Sequence, residues 1–107
     1  KARKSWLAFG RHIAGDLVVD DGCAAAMLTG GKSLLAAGLV SAEGDFVARS
    51  TVRVLNLAGR EIARGIVNYD VVSLRKIAGR RTKEIAGILP GAACDEVIHR
   101  DNMVLMI

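Results

Sequence analysis

Three stretches hold residue types that could do chemistry. His99-Arg100-Asp101-Asn102 carries the order of a phosphoryl-transfer loop, in which the aspartate accepts a hydroxyl proton and an asparagine five positions later holds a metal. Here Asn102 follows Asp101 directly, with no glycine-rich loop and no paired strand lysine. The segment therefore reads as a tight connection between two strands, because Asp and Asn bond their own backbone in turns. Gly30-Gly31-Lys32-Ser33 looks like the end of a phosphate-cradling loop. The first glycine of that pattern is missing, since position 26 is Ala26. The segment is also expected to follow a helix where the pattern requires it to open one. The two glycines still allow a backbone to approach a phosphate. A Ser/His/Asp set could be drawn from Ser41, His99 and Asp95, but no spacing favours it. An independent enzyme is the reading least supported by these residues.

The third stretch is basic. Arg75, Lys76, Arg80, Arg81 and Lys83 crowd nine positions. A helix over SLRKIAGR, with Ser73 as N-cap, would turn Leu74, Ile77 and Ala78 to the core and leave Arg75 and Lys76 outward. Arg80 and Arg81 then fall at a connection from which they could reach phosphates. A solvated helix face is the plainer reading. Aromatic residues make up 4% of the chain, which disfavours base stacking on single strands. Recognition of a structured duplex by shape and phosphates fits better. Neither His12 nor His99 has metal-ligand neighbours, and His99 is expected to hydrogen-bond at a strand end. Cys23 and Cys94 stand in no Cys/His cluster, so both read as buried free thiols in a reducing cytoplasm.

Composition bounds the rest. The chain has 107 residues, 51% of them hydrophobic and 24% charged, with a formal net charge of +4. That suits one domain whose core is built from Val, Leu, Ile and Ala. No apolar run approaches the roughly 20 residues needed to span a bilayer, and no secretory leader is visible. The first residue is Lys1, as expected of a processed chain or an excised domain. Residues 1–14 read as a basic linker arriving from something upstream, with Trp6 and Phe9 as an apolar anchor against the domain.

The elements that would position these residues alternate in short runs. A first strand is predicted near Asp16–Val19. A small-residue helix follows, with Asp20 or Asp21 as N-cap and Gly30-Gly31 as its left-handed stop. Strands are predicted at Leu34–Val40, Asp45–Ala48, Thr51–Asn56 and Glu61–Val67, with a hairpin at Asn56–Arg60 and a positive φ at Gly59. Gly65 marks a bulge or a close approach. Thr82 opens a second basic-flanked helix with Ile85, Ala86 and Leu89 inward, stopped by Pro90-Gly91. Strands at Glu96–His99 and Met103–Ile107 complete a mainly β pseudo-barrel of six or seven strands with two or three short helices.

This order resembles the PUA domain, a small RNA-associated barrel. The helix Gly22-Cys23-Ala24-Ala25, the run Gly31-Lys32-Ser33-Leu34-Leu35-Ala36-Ala37-Gly38-Leu39 and the turn Glu43-Gly44-Asp45-Phe46 carry the likeness. Four pieces carry a closer similarity, to the C-terminal PUA domains of bacterial glutamate 5-kinases: Gly15-Asp16-Leu17-Val18-Val19-Asp20, Gly31-Lys32-Ser33-Leu34-Leu35, Arg64-Gly65-Ile66-Val67-Asn68-Tyr69 and His99-Arg100-Asp101-Asn102-Met103-Val104-Leu105. The resemblance spans residues 4–105; Cys94 is a departure, a position for which it implies nothing.

The resemblance implies a PUA domain over residues 15–107, following an upstream amino-acid-kinase domain. The whole enzyme would phosphorylate the γ-carboxyl of glutamate with ATP and Mg, the first step of proline biosynthesis. This fragment would be catalytically silent, without cofactor or membrane contact, and regulatory or accessory. The RNA-facing positions of PUA domains map here to Gly30, Gly31 and Lys32 and to the region of His99 and Arg100. With Arg75, Arg80 and Arg81 these form the candidate RNA-binding set. An accessory role and a genuine RNA-binding role both remain open at this point.

Overall fold

A computed structural model describes residues 12–92 and 94–106. The expected Trp6–Phe9 anchor lies outside the described residues, as does Ile107. Strand β1 (Gly15–Val19) leads into helix α1 (Asp21–Gly30) and then into β2 (Leu34–Leu35). A 3₁₀ turn at Ala36–Gly38 joins β2 to β3 (Leu39–Gly44), followed by β4 (Thr51–Leu55) and β5 (Glu61–Ile66). Helices α2 (Val71–Ile77) and α3 (Thr82–Ile88) precede β6 (Glu96–Ile98). A second 3₁₀ turn at Arg100–Asn102 joins β6 to β7 (Met103–Leu105). One sheet has the order β3-β1-β4-β5-β7, and β2 pairs with β6 in a second. The architecture is the expected mainly β pseudo-barrel with short helices.

Alternation builds the core. In β4, Val52 and Val54 are fully buried while Arg53 and Leu55 are half-exposed on the other face. Leu17, Val19, Ile62 and Val97 meet them with Met27 of α1 and Leu74 and Ile77 of α2 in a single cluster. The outer edge of β3 is covered by α2. The Arg75 guanidinium donates through Nε to the Ala42 carbonyl at 3.0 Å, and the Gly79 N–H donates to the Ala36 carbonyl at 2.8 Å. Covering in this way keeps an unpaired ladder from templating another chain.

Several expectations are corrected. Leu34–Val40 is not one strand. Leu34–Leu35 pairs with β6, whereas Leu39 onward pairs with β1, and the chain changes sheets through the 3₁₀ turn. A Cβ on Gly38 would lie 2.4 Å from the Cys23 Cβ, so only glycine lets this turn press onto α1. Asp45–Ala48 is a loop: the preceding strand already runs to Gly44, and the Phe46 carbonyl turns to accept from the Val71 N–H. Asp70, not Ser73, caps α2, its Oδ1 accepting the Ser73 N–H at 2.7 Å. In α3, Ala86 is exposed, and Ile88 joins Ile85 and Leu89 against the core because the helix presents its i, i+3, i+4 face. Cys23 and Cys94 are free but only half-buried.

Two outcomes test this packing. A Cβ on Gly65 would meet the Ile98 Cγ2 at 2.7 Å and the Asn102 carbonyl oxygen at 2.8 Å. Gly65→Ala should therefore cost about 1–3 kcal/mol in denaturant unfolding, as overpacking does. The Ser73 backbone bond holds the Asp70 carboxyl below its usual pKa, so its stabilisation is present above the unfolded carboxylate range and is lost as pH falls through the folded value. Asp70→Ala should cost about 1 kcal/mol at neutral pH, and the gap to the native chain should close in acid. Asp70→Asn should keep the cap with less dependence on pH.

Candidate nucleic-acid interface

The end of α1 and the turn before β7 make the candidate site. Helix α1 starts where the Asp20 Oδ1 accepts the Cys23 N–H at 2.7 Å. It ends at Gly31, which has φ +61° and ψ +29°, a left-handed conformation open to glycine at little cost. The chain then reverses through Lys32 and Ser33 into β2, and β2 pairs with β6 through Leu34 opposite Ile98 and Leu35 opposite Glu96. That pairing brings the far end of the chain alongside. The Arg100 N–H donates to the Ser33 Oγ at 2.8 Å, clasping the two turns together. The His99 Nδ1 accepts the Asp101 N–H at 3.0 Å, which makes His99 the cap of its 3₁₀ turn and matches its expected role at a strand end.

Between these turns lies a cavity of about 200 Å³ lined by Met27, Gly31, Lys32, Arg100, Asp101, Met103 and Leu105. Lys32 also borders a larger, mainly apolar cleft of about 480 Å³. The floor of that cleft includes Cys23, Ala26, Leu35 and Gly38, with Asp20 and Glu96 among its lining residues. Burial, with the Asp20 charge nearby, pushes the Cys23 thiol up to about 11. Cys23 is thus a protonated packing residue at neutral pH and not a nucleophile. Among the described residues, no group of three His, Cys, Asp or Glu side chains could hold a metal ion.

The sequence-predicted residues divide into two groups. Gly31, Lys32 and Arg100 line one cavity, with Gly30 and His99 beside it at the ends of the same turns. Lysine and arginine next to turn backbone can meet a phosphate through charge and N–H donors. Arg75, Arg80 and Arg81 do not line this cavity. Arg75 is engaged with the Ala42 carbonyl and lies 3.7 Å from Glu43. Arg80 is exposed just beyond α2, and the Arg81 N–H is bonded to the Glu84 Oε1 at the start of α3. Reasoning from sequence missed Ser33 as the clasp and Met27, Asp101 and Met103 as lining. The hydroxyl after Gly-Gly-Lys was the available signal for Ser33.

Comparison with known proteins falls on the same elements. The PUA domain family matches residues 15–89. A glutamate 5-kinase from Nostoc punctiforme is 49% identical over 105 residues, which is 98% of this chain and 29% of that kinase. One from Thermosynechococcus vestitus is 43% identical over 99% of this chain, again 29% of the kinase. The chain thus spans under a third of the length of the curated relatives it matches. Among solved structures, a PUA domain from Aeropyrum pernix K1, determined as a tartrate complex, is 26% identical with a TM-score of 0.57, over 91% of this chain and 50% of that one. A conserved PUA domain protein from Thermoplasma acidophilum is also 26% identical, with a TM-score of 0.53, over 61% of this chain and 43% of that one. No helix among the described residues is long and apolar enough to cross a membrane. The matched span runs from β1 through α3, taking in the helix whose glycine end opens the cavity, and the chain belongs to the PUA domain family.

Proposed function

We propose that this chain is the non-catalytic, C-terminal PUA module of a glutamate 5-kinase and acts as an accessory domain that tunes the kinase domain or its assembly. One observation carries the reading: glutamate 5-kinases match nearly the whole chain at 43–49% identity, while the matched part is only 28–29% of each. On this reading residues 1–14 are the linker from an upstream amino-acid-kinase domain. ATP, Mg and the glutamate γ-carboxyl belong to that domain, in the first step of proline biosynthesis in the cytoplasm.

The second reading, recognition of structured RNA, is favoured by Lys32 and Arg100 meeting at one cavity beside Gly31. Its contact set would be Gly30, Gly31, Lys32, His99 and Arg100, with Arg75, Arg80 and Arg81 as a separate flank. Contacts of this kind read phosphates and shape, so affinity should fall steeply with salt.

Removing the module from the full-length kinase tests the first reading. Glutamate phosphorylation should persist, while the oligomeric state or the substrate-saturation curve shifts. Loss of the chemical step, or no change in either property, would overturn it. Titrating the 107-residue chain with a structured RNA tests the second. If the cavity binds phosphates, Lys32→Glu should weaken binding across RNA sequences and lower the salt slope by about 1, whereas Arg75→Glu should matter less. Weak binding that vanishes at physiological salt and ignores Lys32 would leave only general charge attraction.

A further inference from the structure

The mainly apolar cleft of about 480 Å³ has one wall made by α1, where Gly22, Cys23 and Ala26 lie on one face at helical spacing. The facing wall is the run from Ser33 through Leu35 to Gly38. Small residues keep the space between the walls open. The Asp20 N–H donates to the Gly38 carbonyl at 2.9 Å, which ties the start of α1 to the end of the 3₁₀ turn. Leu35 enters that turn and stands opposite Glu96 of β6. A 3₁₀ turn advances about 2 Å per residue, so Glu96 and Asp20 flank the cleft from the two ends of a turn about 6 Å long. Lys32 and Ser33 stand at the other end, beyond α1, whose 10 residues span about 15 Å.

The charges on this cleft are unspent. The Asp20 Oδ1 accepts the Cys23 N–H at 2.7 Å, and its Oδ2 is left for another donor. Glu96 uses its backbone carbonyl to accept from the Asn68 Nδ2 at 3.0 Å, not its carboxylate. Among the described residues neither Asp20 nor Glu96 forms an ion pair, in a chain whose formal net charge is +4. At the other end the Ser33 Oγ accepts the Arg100 N–H and keeps its own proton to donate. The cleft thus has acceptors at the turn, donors beside Lys32 and an apolar floor between them. Carboxylates repel phosphate, so the turn end does not continue the surface formed by Lys32 and Arg100.

We propose that the cleft binds a primary organic ammonium ion, its ammonium between the Asp20 and Glu96 carboxylates and its apolar body along Ala26, Leu35 and Ala37. An ammonium carries donors only, which suits carboxylates that lack a donor. Charge-assisted bonds of this kind are about twice as strong as neutral ones. The apolar body covers Leu35, which is 40% exposed, and adds affinity in proportion to the area it removes from water. Lys32 opposes a second cation at the far end, so a monoamine fits better than a long diamine. The cleft is of the size that holds a small molecule. Binding here requires neither an upstream kinase domain nor an RNA.

Titrating the 107-residue chain with hexylammonium, hexanol and hexanoate, at neutral pH and constant ionic strength, tests this by amide chemical shifts. Hexylammonium should saturate and shift Cys23, Ala26, Leu35, Ala37 and Gly38. Hexanol should bind the same residues about tenfold more weakly, and hexanoate more weakly again. Asp20→Asn keeps an N-cap while removing the charge. Glu96→Gln leaves the α1 cap untouched and so tests the site independently of it. Each should weaken hexylammonium about tenfold and leave hexanol unchanged, the second readout showing that the cleft is intact. Asp45→Asn, exposed on the loop after β3, should leave both ligands unchanged. The proposal is overturned by no saturable shift, by hexanol or hexanoate binding as tightly as hexylammonium, or by shifts confined to the Lys32–Arg100 cavity. It is equally overturned if hexylammonium affinity survives both carboxylate substitutions, or if Glu96→Gln weakens hexanol as much as hexylammonium.

Discussion

The six residues from Leu34 to Leu39 constrain everything around them. Within that span the chain leaves a pairing with β6 and enters a pairing with β1, so one short run belongs to both sheets. The change of sheet links the two sheets of the pseudo-barrel, and it works only if the turn can press onto α1. Gly38 lies against the Cys23 Cβ with no room for a side chain, while the Gly38 carbonyl accepts the Asp20 N–H at 2.9 Å. Ala36 is fully buried in the same turn, and its carbonyl accepts from Gly79 beyond α2. One close approach thus ties the first helix, the second helix and both sheets to a common core.

The candidate interface is a by-product of that change of sheet. Once β2 lies against β6, the residues before β2 and after β6 must share a surface, and the bond from the Arg100 N–H to the Ser33 hydroxyl holds them there. Lys32 and Arg100 come together through strand pairing, not sequence proximity. The remaining basic residues serve other ends. Arg75 satisfies a β3 carbonyl at the sheet edge, and Arg53 is held charged chiefly by its hydrogen bonds to Asp16. Counting arginines therefore overstates the charge available to a phosphate backbone.

Much was legible where local chemistry decides. The cap at Asp20, the left-handed stop at Gly31, the alternation of Thr51–Leu55 and the positive φ at Gly59 follow from side-chain size and hydrogen-bonding groups within a few positions. The errors share a cause too. Leu34–Val40 is uniformly apolar, and such a run cannot show where a strand breaks to change partners. Ser73 and Asp70 are both good caps, and the choice fell to Asp70 because Val71 and Leu74 had to face the core. Phe46 looked like a strand residue because it opens an apolar, β-prone run, but it is buried from a loop.

By itself, the sequence determined the family, the mainly β class, both ends of α1 and which positions carry glycine or a basic side chain, since these depend on short-range patterns. The tertiary structure decided which of those residues meet. Gly31, Lys32 and Arg100 converge because two strands pair across most of the chain's length, and Arg75 is diverted because an edge carbonyl needed a donor. Both outcomes follow from satisfying backbone hydrogen bonds over a single core, a constraint that acts between residues far apart in sequence and leaves no local signature.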